Sequence, residues 1–339
     1  MVFSCKIYPS TIYGEKYRGN YEMLIDEVKT AGITNIIVPV FQGSRIFFPD
    51  EEQEETATNL ATLKESATAA GIGFTPEYPL FNDQDTYDQV NQFRPVSEAG
   101  ESDTGSLWYK PLCPSNEVYR NFRLNLLLKS LKIFEPSIIS LDFLQYPYLY
   151  EFNSTFESSS GLPQFCYCDF CQSGFTNYSG LQTPTEDIEM WFNWRCENIT
   201  YIPVLIQEEI EKTGHKTNII AQMPPTVTPF PMEALRRFAG QDTSQWRNLV
   251  DVLSPHLYLN QTENSIDWAF EVLDDIESKS EIQVMPEFDF SLQYDETETA
   301  SLDTLLGRLA DQNIPAISLF HWELLSGSDD WISLIRNYS

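Results

Sequence analysis

Cys166, Cys168 and Cys171 place three thiols within six positions, in Gln164-Phe165-Cys166-Tyr167-Cys168-Asp169-Phe170-Cys171. A fourth thiol, Cys113, lies upstream in Leu112-Cys113-Pro114-Ser115-Asn116. Four thiolates are what a closed tetrahedral zinc site takes, and four protein ligands leave no coordination position for a substrate. The spacing predicts a structural zinc ion on Cys113, Cys166, Cys168 and Cys171, with no organic cofactor. A disulfide with two free thiols is the alternative, disfavoured in a reducing compartment. Cys5 and Cys196 fall in apolar or helical stretches and read as small buried residues.

A second group of reactive residues closes short apolar runs. Glu77 and Tyr78 end one run, Asp142 another, His256 and Tyr258 a third. Glu287 and Asp289 end a fourth, and His321, Trp322 and Glu323 a fifth. Tyr8, Gln145, Tyr146 and Gln222 sit at similar places. Carboxylates among aromatic rings suit sugar chemistry: the rings stack on C–H faces, and polar groups bond hydroxyls. Cleaving a glycosidic bond needs one carboxylic acid to protonate the leaving oxygen and a second carboxylate to attack or to activate water. There is no serine–histidine arrangement, and three histidines are too few for a catalytic zinc site.

These residues need a frame that brings strand ends together. The chain alternates apolar runs with amphipathic helical stretches from end to end. The runs are Val2–Pro9, Asn35–Phe41, Gly73–Tyr78, Ser137–Phe143, Thr217–Met223, Val252–Tyr258, Ile282–Phe288 and Ala316–Trp322. Helices are expected at about 21–31, 54–70, 116–134, 186–213, 232–250, 265–278, 298–312 and 329–337, several ending in glycine. Strands alternating with helices pair in parallel through right-handed crossovers, and eight units make a (β/α)8 barrel. The expectation is a single barrel over residues 1–339 with loop insertions at about 81–115 and 145–185. A doubly wound nucleotide-binding sheet would carry a glycine-rich phosphate turn, and none is present.

Barrel active sites lie at the C-terminal ends of the strands. Strands four and seven face each other across that mouth, so Asp142 and Glu287 are the expected catalytic pair. The working assignment makes Asp142 the acid/base and Glu287 the nucleophile, with Glu77 and Glu323 in reserve. Glu77, Tyr146, His256, Tyr258, His321 and Trp322 are expected to line the sugar pocket. A non-catalytic carbohydrate-binding barrel and a metal-dependent sugar isomerase are the alternatives.

Composition bounds the partners. Fifty acidic residues oppose twenty-one basic ones, a net charge of −29. Nucleic acid and anionic membrane both need basic surface, so neither is expected. No apolar run is long enough to span a bilayer, and the first residues lack a signal-peptide layout, which predicts a cytoplasmic protein. The charge fits either an acidic cytosolic protein or adaptation to high salt. Oligomeric state is not encoded legibly.

Three segments together carry a family resemblance: Cys113-Pro114-Ser115-Asn116, Ser140-Leu141-Asp142-Phe143-Leu144-Gln145-Tyr146-Pro147, and Cys166-Tyr167-Cys168-Asp169-Phe170-Cys171 with Phe175. The pattern resembles barrel glycoside hydrolases in which a CPxN turn precedes an lDyxRYP strand end and a CxCxxCxxxF loop. The cysteine layout is similar to the zinc site of family 42 β-galactosidases. The resemblance covers about residues 110–200. It implies a sugar-active barrel with Asp142 in the site and zinc on the four cysteines. Departures are plain: Leu141-Asp142 stands where family 42 has Asn-Glu, and Gln145 where the other hydrolases often have arginine. Glu287 matches that clan's strand-seven nucleophile. An aspartate on strand four is instead the nucleophile in α-galactosidase-like barrels.

Overall fold

A computed structural model describes residues 1–49, 60–102, 106–148, 163–214, 216–225, 231–259, 264–290 and 296–339. Eight parallel strands follow one another around a closed barrel: β1 (Val2–Lys6), β2 (Asn35–Pro39), β3 (Gly73–Pro79), β4 (Ile138–Asp142), β5 (Asn218–Met223), β6 (Val252–Leu257), β7 and β8 (Ala316–Phe320). Strand β7 comes in two pieces, Gln283–Val284 and Glu287–Asp289. Its register against β6 runs on across the gap, with Val284 beside Leu253 and Glu287 beside His256. The ladder lapses where Pro255 and Pro286, which have no N–H to donate, stand near each other. Pairing of β8 with both β1 and β7 closes the barrel.

The helices start where a side chain can take an orphan backbone N–H. Asn20 caps α1 (Tyr21–Thr30), and α2 spans Leu60–Ala70. Asn116 caps α3 (Glu117–Phe134), and α4 spans Asp169–Ser179. Asp187 caps α5 (Ile188–Thr213), and Ser265 caps α6 (Ile266–Ser280). After α7 (Glu296–Asp311), Ser328 caps α8 (Asp329–Tyr338). The expected helix at 232–250 breaks into a short turn, Pro231–Ala234, a π segment, Leu235–Ala239, and a 3-10 turn, Thr243–Gln245. The π segment stops at Gly240, whose φ is 72° and where a Cβ would lie 2.8 Å from the Tyr146 ring. A side chain there would collide with the ring, and the left-handed φ also favours glycine, which ends the helix. The part of the expected 54–70 helix before Leu60, and residues 149–162 of the second insertion, lie outside the described residues.

Period-two alternation divides the strands into an outer face packed on helices and an inner face filling the barrel. The bottom of the interior is apolar: Ile37, Ile220 and Met285 pack with Ile138, Val252 and Ala316. Two residues further along the same strands, the character changes. Ser140, Gln222, Ser254, Glu287 and Ser318 are all buried, and Lys6, Glu77, Asp142 and His256 lie at or above that level. This polar upper layer is the floor of the candidate site.

Candidate active site at the barrel mouth

Lys6, at the end of β1, organises the floor. Its ammonium donates to Asp142 Oδ2 at 3.1 Å and to Glu77 Oε1 at 3.0 Å. Asp142 Oδ1 accepts the Phe143 N–H at 2.7 Å. Gln222 on β5 donates to Glu77 Oε1 at 2.7 Å and to Ser140 Oγ at 2.8 Å. His256 Nε2 meets Gln222 Oε1 at 2.7 Å and lies 3.4 Å from Glu287 Oε1. Glu287 accepts from Tyr258 Oη at 2.6 Å and from Ser318 Oγ at 2.8 Å. Hydrogen bonds thus link Asp142 through Lys6, Glu77 and Gln222 to His256, whose ring lies against Glu287.

Burial sets the protonation of this chain. It lowers the pKa of His256, which stays neutral. It pushes Glu77 up to about 8, against the pull of Lys6. For Lys6, burial alone favours the neutral amine, but Glu77, Asp142 and the other acidic neighbours outweigh it and hold the ammonium well above its ordinary value. Lys6 pairs with Asp142 and donates to one Glu77 oxygen, while Glu77 Oε2 is buried without a partner.

A cavity of about 290 Å³ opens above Lys6 and Asp142. Tyr8, His256, Tyr258 and Phe320 form one wall; Trp108, Tyr109, Phe143 and Tyr148 form the opposite rim. His256 and Tyr258 stack at 4.9 Å, Tyr258 and Phe320 at 5.0 Å. Of the expected pocket residues, Asp142, His256 and Tyr258 touch this cavity. Glu77 and Glu287, 1% and 0% exposed, lie beneath it. His321 sits one ring behind, edge-on to Tyr8 at 5.4 Å and bonded to Glu323.

Two expected pocket residues are elsewhere. Trp322 turns outward into a short helix, Trp322–Leu325, and its indole N–H meets Tyr17 Oη at 3.4 Å. Tyr146 is wholly buried behind the site: its hydroxyl is 2.6 Å from Ser115 Oγ, and the Arg195 guanidinium lies 4.4 Å over its ring. Both belong to packing because the chain leaves the strand direction before reaching them. Lys6, Phe320 and the rim residues Trp108, Tyr109, Phe143 and Tyr148 are site residues that sequence reasoning passed over. The signal for Lys6 was present, since it is the one charged residue in the Val2–Pro9 run.

The four cysteines do converge. The sulfurs of Cys113, Cys166, Cys168 and Cys171 all lie within 4.8 Å of one another, and all four residues are buried. Cys113 and Cys171 are 3.4 Å apart, Cys113 and Cys168 3.5 Å. Four sulfurs about 2.3 Å from one ion sit about 3.8 Å apart, so the set fits a metal of zinc's size. Burial pushes the Cys113 and Cys171 thiols well above their ordinary value, and a bound cation is the charge that reverses this. No comparable group surrounds the cavity among the described residues. Between Glu77 and Asp142, where a divalent ion would sit, stands the Lys6 ammonium.

A larger cavity, about 490 Å³, lies to one side between α6, α7 and α8. Its charged lining residues are Asp267, Asp289 and Arg308, of which Asp267 and Arg308 pair with each other at 2.6 Å. No helix among the described residues is long and apolar enough to cross a membrane.

In sequence, the chain matches no protein-family model and no curated protein. In structure it has clear likenesses. The glycoside hydrolase domain of PgaB from Bordetella bronchiseptica superposes with a TM-score of 0.74 at 11% identity, covering 100% of this chain and 99% of that one. The catalytic domain of a β-amylase from Paenibacillus polymyxa gives 0.67 at 12% identity, covering 99% and 97%. A β-galactosidase from the haloarchaeon Halorubrum lacusprofundi gives 0.68 at 12% identity, covering 100% of this chain and 57% of that longer one. The chain therefore has the (β/α)8 fold of glycoside hydrolase barrels, and its floor of buried carboxyls lies at the end of that barrel where such enzymes work.

Proposed function

We propose that this protein hydrolyses a glycosidic bond in the cavity above Lys6 and Asp142. The observation that carries the reading is a carboxylate, Asp142, presented to a cavity walled by aromatic rings at the C-terminal mouth of the barrel. Rings supply faces for the sugar's C–H groups, and Asp142 reaches the space an anomeric carbon would occupy. Asp142 accepts hydrogen bonds at both oxygens, which suits attack on that carbon or activation of water. Of the working acid/base assignment of Asp142 this keeps the base half, adds the nucleophile role and drops the acid half. Glu287 stays in the catalytic set as the partner of Tyr258, the group through which it meets the cavity. The four cysteines hold a structural zinc ion that ties the loops after β3 and β4 together.

The test is a screen of chromogenic glycosides at low and high salt on wild type, Asp142→Asn and Glu287→Gln. Asp142→Asn should lower kcat at least about 100-fold with the fold intact, and Glu287→Gln should act in the same direction. Full activity in Asp142→Asn would overturn the reading. The complete burial of Glu287 favours a second reading, a carbohydrate-binding barrel without catalysis. Sugar binding by calorimetry with no turnover in the screen would select it.

A further inference from the structure

Lys6 is a cation at the centre of an acidic site. It is 4% exposed, and the titratable groups that face it come from every side of the barrel: Glu77 on β3, Asp142 on β4, His256 on β6, Glu287 on β7, and Tyr8 beyond β1. Its ammonium also lies 5.6 Å from the ring centres of both Tyr8 and Phe320. So complete an enclosure excludes a nucleophilic role: an amine gripped by two carboxyl oxygens has no lone pair to offer.

We propose that Lys6 is the positioning residue of the site, fixing Asp142 as the acceptor carboxylate that faces the sugar and leaving Glu77 beneath it as the carboxyl that holds the proton. The proposal rests on the hydrolase reading for its kinetic consequence, but its geometry stands apart from it. The two Asp142 oxygens are fixed from different elements, by Lys6 on β1 and by the backbone N–H of Phe143. Glu77 Oε1 is taken by Lys6 and Gln222, while Oε2 has no acceptor or donor near it. A charged carboxylate lobe buried without a partner costs more than a neutral carboxyl there, whose O–H would be one unpaired donor. Removing Lys6 frees Asp142 to rotate and takes from Glu77 the cation that favours its charged form.

Two measurements decide this. The first is carbon-13 titration of labelled Asp and Glu side chains in wild type, Glu77→Gln and Lys6→Gln. One glutamate signal, absent from Glu77→Gln, should remain protonated at pH 6 in wild type and move to still higher pH in Lys6→Gln. A Glu77 signal that titrates in the ordinary glutamate range, or does not respond to Lys6→Gln, overturns the proposal whether or not the protein is an enzyme. The second is kinetics of Lys6→Ala on the best chromogenic glycoside, with ethylammonium added. Lost positioning should lower kcat about 100-fold while KM moves less than about threefold, and ethylammonium should restore part of the rate. Unchanged kcat in Lys6→Ala overturns the positioning role. A wild type that turns over no glycoside defeats the hydrolase reading alone, and the titration still decides the arrangement.

Discussion

Glu77 shows how one side chain can tie the site to the stability of the whole barrel. In the unfolded chain it loses its proton near the ordinary glutamate value; in the folded chain burial holds the proton on up to about pH 8. Between those values the folded state binds more protons than the unfolded state. Stability from this residue is therefore fully present at low pH and is lost as pH rises from about 5 through 8. The slope cannot exceed about 1.4 kcal/mol per pH unit for one group. Glu77→Gln keeps the shape and removes the titration. Urea unfolding across this range should show wild type losing stability relative to Glu77→Gln as pH rises. Parallel profiles would mean that Glu77 is ionised in the fold. The residue itself was visible in the sequence, as the carboxyl closing an apolar run. Its protonation was not, because that depends on Lys6 and Gln222, which arrive from strands far away in the chain.

At the scale of elements, the sequence was legible wherever local chemistry decided. Strand–helix alternation emerged from apolar runs and glycine stops, and the structure adds the N-caps Asn20, Asn116, Ser265 and Ser328 at α1, α3, α6 and α8. It was illegible where a distant residue decided. Gly240 is the local stop signal inside residues 232–250 that the expected helix ran through; what the sequence does not show is the Tyr146 ring, delivered by the β4 loop, which leaves no room for a Cβ there. Tyr146 looked like a pocket residue because its neighbours come from distant segments, Ser115 from the first insertion and Arg195 from α5. The cysteines were the exception, since ligand spacing carries its own long-range information. Cys166 and Cys168 precede α4, Cys171 lies in its first turn, and Cys113 reaches across from the other insertion. Cys171→Ser should thus release α4 and the preceding loop from Cys113. The expected result is loss of one bound zinc per chain by elemental analysis and a fall in Tm of about 5 °C or more, matched by chelator treatment of wild type. An unchanged Tm with no metal in either protein would remove the clasp from the account.

The whole molecule carries its charge on the outside of this arrangement. Fifty acidic and twenty-one basic residues leave −29 on 339 residues, so acidic side chains repel one another across the helical layer. Two kinds of electrostatics coexist and salt separates them. The surface repulsion acts through water and fades when the screening length falls from about 10 Å at 0.1 M salt to about 3 Å at 1 M. The Lys6–Asp142 pair, 3.1 Å apart and each 4% exposed, lies at the floor of the cavity, where screening acts far more weakly than at the surface. Exposed pairs such as Lys16–Glu27 are individually weak, so losing them to screening costs little. Relief of repulsion should dominate: Tm should climb by several degrees between 0.1 and 1 M NaCl and continue upward in 2 M. The carbon-13 titration of Glu77 should stay put over the same range, because its partners are buried. A flat or falling Tm would show that the acidic side chains are spaced widely enough not to interact. A Glu77 titration that shifts with salt would show that water and ions enter the barrel floor, and that the site is more open than its burial indicates.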